Sequence, residues 1–288
     1  MFYSIYKTTL KTVFRSRTAR LALGLLVIWI VNYAICGGHS YYNISTGETI
    51  VDTDPRFALS FETYRQTVLM NYACSSTMLY LFPLFAIIAA LAVLLRDFGD
   101  SYFEIEKAGN VRPLSYYVAR LLGIMSVVMV VAIGLTLLWI YWYVFSRGGV
   151  DGYSFGFVLK DVFLRIWKYI IGLMLPILLA IVSATLCLGN LFHNALFAAL
   201  GSMAFVVVNY LCWCVRHARG WLPYFHYLST VPQKLHMVLA AYDREDPIGF
   251  MNLLSTNPKL ALICVGIAVG AALLYSVIAH LRIRSREI

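Results

Sequence analysis

The sequence predicts an all-α integral membrane protein, and three observations predict it. Of 288 residues, 61% are apolar and only 13% are charged. Mean hydropathy is +0.75. The charges are also spaced so that long uncharged runs separate them. An average soluble domain is roughly half apolar and about a quarter charged, so this composition excludes a water-soluble globular enzyme. Disorder requires low hydrophobicity and high charge and is excluded too. Aromatics at 15%, mostly Tyr and Phe, suit a chain with two water–lipid interfaces to anchor.

The uncharged runs give the span count. A charge at mid-bilayer costs at least ~2.5–3.5 kcal/mol, and about 20 residues cross the ~30 Å hydrocarbon layer. Arg20 to Glu48 encloses 27 uncharged residues, Arg65 to Arg96 30, Arg120 to Arg147 26, Lys168 to Arg216 47 and Lys259 to Arg282 22. Four runs hold one span each. The longest holds two, divided at the polar cluster Gly189-Asn190-Leu191-Phe192-His193-Asn194. Six transmembrane helices follow, at about 21–37, 72–95, 120–145, 169–188, 194–215 and 260–281. They form one domain, 21–288, after an amphipathic stretch at 1–20. The alternating pattern of a membrane β-barrel is absent.

An even count puts both termini on one side. Segments on that side carry 12 Lys/Arg in 52 residues, against 11 in 101 on the other. The denser side is cytoplasmic, so the expected location is the plasma (inner) membrane, multi-pass, with both termini inside. The net charge of +9 is then a topology signal rather than a nucleic-acid footprint, since no basic stripe interleaves with exposed aromatics. Five basic residues before an apolar run ending near Cys36-Gly37-Gly38 also suggest a signal peptide, but the basic region is long and itself patterned, which favours an uncleaved first span.

All six cysteines fall within or at the ends of spans, where Cys acts as a small apolar residue. Cys36 and Cys74 both lie near the outer face, where a disulfide could join them. Cys212, Cys214 and His217 lack a fourth ligand and a zinc-type spacing, so no metal site is expected. No Asp, Glu, Lys or Arg lies inside a predicted span. Proton- and ion-coupled carriers need such a group at membrane depth, and channels show charged rings or filter loops. A lipid-modifying enzyme would have to draw on His217, His226, His236 and Asp243. If the protein moves something, energy must arrive from a cytoplasmic partner.

Two cytoplasmic elements could receive it. Phe2, Ile5, Tyr6, Leu10, Val13 and Phe14 recur at helical spacing, with Lys7, Lys11 and Arg15 on another face. That helix should lie along the inner leaflet. The second element is the loop 96–120. Ser101 with Glu104 three residues on makes a capping box, and Ala108-Gly109-Asn110 would end the short helix. Pro113 then starts the next helix. A two-turn helix between two spans is a lever.

These features in this order resemble the type-2 ABC transporter permeases (the ABC-2 family): a basic elbow, span one, an external loop, and span two ending in Arg96-Asp97. After them come a short acidic helix, Gly109, Pro113-Leu114-Ser115-Tyr116 before Arg120 and span three, and the tail His280-Leu281-Arg282-Ile283-Arg284-Ser285-Arg286-Glu287-Ile288. The resemblance covers nearly the whole chain, and its motifs are short. It implies that 101–109 is a coupling helix contacting an ABC ATPase subunit through Ser101, Glu104, Glu106, Lys107 and Gly109. The Leu188–Asn194 turn, with Asn190 and His193, would be a smaller contact. It also implies a dimer with a second permease copy or paralogue, and external re-entrant or interfacial helices within 216–259 before the last span. Spans two and five would face the dimer axis, placing Ser75, Ser76, Thr77, Met78, Pro83 and Asn209 near a pathway for an amphipathic or lipophilic cargo. No phosphate-cradling G-x4-G-K-[ST] occurs in the chain, so no cofactor is expected here, and ATP and Mg belong to the partner. The implied function is export of a peptide, antibiotic or lipid-like cargo, without enzymatic activity of its own. The alternative is a non-transporting membrane sensor, assembly or immunity protein. Pro83 and Pro176 are expected to kink spans two and four, and 153–168 could form an interfacial helix.

Overall fold

The computed structural model describes residues 2–36, 40–43, 48–51, 81–99, 112–145, 154–160, 175–214 and 258–284. In chain order these form α1 (Phe2–Arg15), α2 (Arg17–Cys36), β1 (Ser40–Asn43), β2 (Glu48–Val51), α3 (Phe82–Gly99), α4 (Pro113–Phe145), α5 (Leu175–Phe192), α6 (Ala195–Cys214) and α7 (Pro258–Arg284). A helix therefore occupies each of the six apolar stretches. Four of them are long and apolar enough to cross a membrane: α3, α4 over Pro113–Trp139, α5, and α7 over Val265–Arg284.

Two features depart from the sequence reading. The first is a small antiparallel sheet, β1 against β2, with Tyr41 opposite Ile50 and Tyr42 opposite Thr49. Aromatic and β-branched residues favour a pleated pair over a helix, so the architecture is helical with one hairpin. The second concerns helix ends. α3 continues through Arg96, Asp97 and Phe98, and α4 begins seven residues before the expected start of span three. Gaps between charges locate the hydrocarbon layer, whereas backbone capping locates helix ends, and the two need not coincide. At 33 residues α4 is about 50 Å long, well beyond the bilayer core.

Local chemistry explains the ends. Ser16 separates α1 from α2 and caps the latter, its Oγ accepting from the Ala19 N–H at 3.4 Å. Pro113 stands first in α4, where its missing N–H has no intrahelical partner, and the Tyr116 N–H bonds the Arg112 carbonyl at 3.1 Å. Asn194 caps α6 by accepting from the Leu196 N–H at 2.8 Å. Pro83 and Pro176 stand near the first described residues of α3 and α5, and the residues preceding 81 and 175, on which a kink depends, lie outside the described residues. The segment 155–160 is helical, capped by Ser154, and Phe155 meets the Tyr141 ring edge-on at 5.8 Å.

The core runs along the helix seams. Phe82, Ile87 and Leu94 from α3, Ile124 and Trp139 from α4, and Leu178 from α5 are fully buried. α5 is the most interior of the four long helices and α7 the least, with 72% and 22% of their spans buried. α7 nevertheless packs extensively along α5. Hydroxyl groups tie helices together inside this apolar setting. Ser202 on α6 donates to Thr185 on α5 at 2.9 Å, and Tyr117 on α4 pairs with Ser276 on α7 at 3.1 Å. The Leu94 side chain of α3 lies directly on Gly189 of α5, where an added Cβ would overlap it.

Candidate functional site

The feature with the most chemistry is a buried polar cluster where α1 crosses the adjoining ends of α3 and α4. Asp97 lies near the C-terminal end of α3, 6% exposed, and Arg120 lies two turns into α4, 2% exposed. The Arg120 Nη2 donates to Asp97 Oδ1 at 2.5 Å. The other carboxylate oxygen accepts from the Tyr116 hydroxyl at 2.6 Å. Tyr116 and Arg120 are four residues apart, hence on one face of α4, and the guanidinium carbon sits 5.1 Å from the Tyr116 ring centroid. The carboxylate is thus held on both oxygens and the guanidinium on an edge and a face. That is the condition for keeping an ion pair out of water.

α1 supplies the remaining partners through threonines. The Thr9 hydroxyl donates to the Ile5 carbonyl of its own helix at 2.8 Å and accepts from Arg120 Nη1 at 3.0 Å. Thr12 repeats the arrangement, donating to the Thr8 carbonyl at 2.9 Å and accepting from Arg96 Nη1. A hydroxyl has one proton to give and lone pairs to offer, so threonine at these two positions turns the inward face of α1 into an acceptor for guanidinium groups. Tyr6 extends the link by donating to Ser126 Oγ of α4 at 3.0 Å. Gly123 makes room: an added Cβ there would lie 2.8 Å from the Thr9 side chain.

These contacts give the amphipathic helix an inward face on the protein. Its buried face is Ile5, Thr9, Thr12 and Val13, and it packs on α4 and α3. Phe2 and Phe14 are 41% and 50% exposed. The inward face is chosen by the guanidinium partners as well as by apolarity. Asp97 lies just beyond the predicted span 72–95 and Arg120 at the edge of the span 120–145, and both are buried in helices long and apolar enough to cross a membrane.

The residues singled out from the sequence divide as follows. Ser101, Glu104, Glu106, Lys107 and Gly109 lie outside the described residues, as do Ser75, Ser76, Thr77, Met78, Cys74, His217, His226, His236 and Asp243. Asn209 lies in α6, and Pro83 is buried at the start of α3. Asn190 is not in a turn: α5 runs on to Phe192, and the Asn190 side chain is buried, donating to the Leu186 carbonyl at 2.8 Å. His193 is where the chain turns. It adopts φ 54°, is exposed, and its ring lies 4.5 Å from that of Phe98 at the end of α3. Of the two residues assigned to a second partner contact, His193 therefore presents its side chain at the surface and Asn190 does not. No group of three or more His, Cys, Asp or Glu able to hold a metal occurs among the described residues.

No protein-family model, no curated protein and no solved structure matches the chain.

Proposed function

We propose that this chain is the membrane-embedded permease subunit of an ATP-driven exporter of the ABC-2 type, moving an amphipathic or lipophilic cargo out of the cell. In this reading it sits in the plasma membrane with both termini cytoplasmic, pairs with a second permease, and takes its energy from ATPase subunits that hold ATP and Mg. The observation that carries the reading is the Asp97–Arg120 pair. α3 ends two residues after Asp97 and α4 begins seven residues before Arg120, so the two helices that the connector 100–111 joins are locked together beside it. A segment anchored this way transmits a push from a soluble partner to α3 and α4, and through Thr9 to α1. Glu104, Glu106 and Lys107 are the charges such a partner would grip. His193, exposed and with its ring tilted against that of Phe98, extends the same surface. The cargo route would follow Ser76, Thr77, Met78, Pro83 and Asn209.

The test is charge reversal in the connector. Glu104→Lys with Glu106→Lys, in the full transporter, should leave membrane insertion intact and abolish cargo-stimulated ATPase activity and transport together. Undiminished coupling in that double variant refutes the lever. Purification of the intact chain without any Walker-motif ATPase refutes the exporter and favours a non-transporting component.

A further inference from the structure

We infer that the outward face of α1 is a binding surface for the headgroups of anionic phospholipids. The inward face is spent on protein: Ile5, Thr9, Thr12 and Val13 pack on α4 and α3, and two threonines are bonded to Arg120 and Arg96. What faces away is a basic row. Lys7, Lys11 and Arg15 are all exposed and follow one another at steps of four, over about 12 Å of helix. Tyr3, 71% exposed, and Phe14, 50% exposed, edge that row. Arg17 and Arg20 continue it, both exposed, into the first turn of α2. No Asp or Glu precedes Glu48 in the sequence, so the row has no acidic neighbour from its own segment.

The position of the helix selects the ligand. α1 crosses α3 and α4, which are long and apolar enough to span a bilayer, at the ends where their polar residues gather. It joins α2 through Ser16 alone. A helix fixed there lies at the level of the phosphate groups, where lysine stems run along apolar surface, ammonium groups reach phosphate, and exposed aromatic rings are favoured. Because the helix is already docked, attachment to lipid does not require insertion of an apolar face. The affinity is therefore electrostatic, lipid-charge-selective and salt-sensitive, with each Lys or Arg contributing about fivefold.

The experiment uses the full chain purified in neutral detergent and titrated with phosphatidylglycerol or phosphatidylcholine, with bound lipids counted by native mass spectrometry. Phosphatidylglycerol should bind at least about tenfold tighter than phosphatidylcholine, and raising the salt should erase the difference. The Lys7→Gln, Lys11→Gln, Arg15→Gln triple variant should lose about a hundredfold in affinity for phosphatidylglycerol. The charge-preserving Lys7→Arg, Lys11→Arg, Arg15→Lys variant should keep it, which separates charge from folding. Equal binding of the two lipids overturns the inference, as does a triple variant that binds like the wild type. Displacement of phosphatidylglycerol by an equal concentration of inorganic phosphate overturns it in favour of a free-anion site. None of these outcomes depends on an ATPase partner.

Discussion

Replacing Asp97 with Ala tests the central physical claim, that the ends of α3 and α4 are joined by a desolvated ion pair. Three losses follow from the geometry. Arg120, 2% exposed, loses the carboxylate at 2.5 Å and becomes a buried charge without its counter-ion, which costs about 3–5 kcal/mol. The Tyr116 hydroxyl loses its acceptor at 2.6 Å, which costs a further ~1–3 kcal/mol if no water replaces it. The side-chain volume adds a small cavity term. These share partners and do not add in full, so a destabilisation of about 4–6 kcal/mol is expected. Arg120→Met should cost a comparable amount, because it strands the Asp97 carboxylate. The double variant Asp97→Leu with Arg120→Met removes both charges and should return to within about 2 kcal/mol of the wild type. Unfolding in mixed micelles by SDS titration, followed by tryptophan fluorescence, gives all four corners of the cycle. If each single variant costs under about 1 kcal/mol, or the cycle is additive, the pair is solvated and the joint does not exist.

Two further perturbations follow from the same contacts. Gly123→Val forces a β-branched side chain into Thr9, already 2.8 Å from where its Cβ would lie; about 1–3 kcal/mol of stability should be lost, and protease access to α1 should rise in limited digestion. His193→Val places a β-branched residue at φ 54° and removes the ring 4.5 Å from Phe98, for an expected loss of about 2 kcal/mol in the same SDS titration. His193→Asn tolerates that backbone and should lose only the ring contact, about 1 kcal/mol. Equal losses in the two His193 variants would show that the backbone conformation plays no part.

The positions of the apolar helices were legible because hydrocarbon tolerates no unpaired charge, a rule that acts locally and leaves its mark on composition. The start of α4 at Pro113 was legible for an equally local reason, since proline's missing donor is harmless in a first turn. The ion pair was not. Asp97 and Arg120 are 23 residues apart, and each taken alone reads as a boundary charge that ends a span. Their partnership depends on how two helices pack, which no periodicity within either helix encodes. A signal did exist in α1. Thr9 and Thr12 fall on the face that also carries Ile5 and Val13, where a helix laid on lipid would carry apolar side chains. Polar residues inside an otherwise apolar face point to polar partners across the interface. The break between α5 and α6 was placed a few residues early for a similar reason. Asn190 looks like a turn residue, yet its amide is satisfied by the Leu186 carbonyl one turn back, so the helix continues to Phe192.

A buried ion pair is weak evidence for stability, since well-packed apolar residues of similar volume often do as well or better. What it supplies is geometry. An apolar contact between helix ends can slide by an ångström at small cost, whereas Arg120 must keep Asp97, Thr9 and the Tyr116 ring at once. Any displacement of α4 relative to α3 or α1 breaks at least one of these bonds. The three helices are therefore tied to one another at this end. The connection to the rest of the bundle is of another kind. Leu94 of α3 rests on Gly189 of α5, and Tyr117 of α4 meets Ser276 of α7 hydroxyl to hydroxyl beside the apolar core. Neutral hydroxyl pairs are worth about 1 kcal/mol and re-form readily with new partners. If force enters at the 100–111 connector, α1, α3 and α4 are its first load, and the seam against α5 and α7 is where the structure can yield.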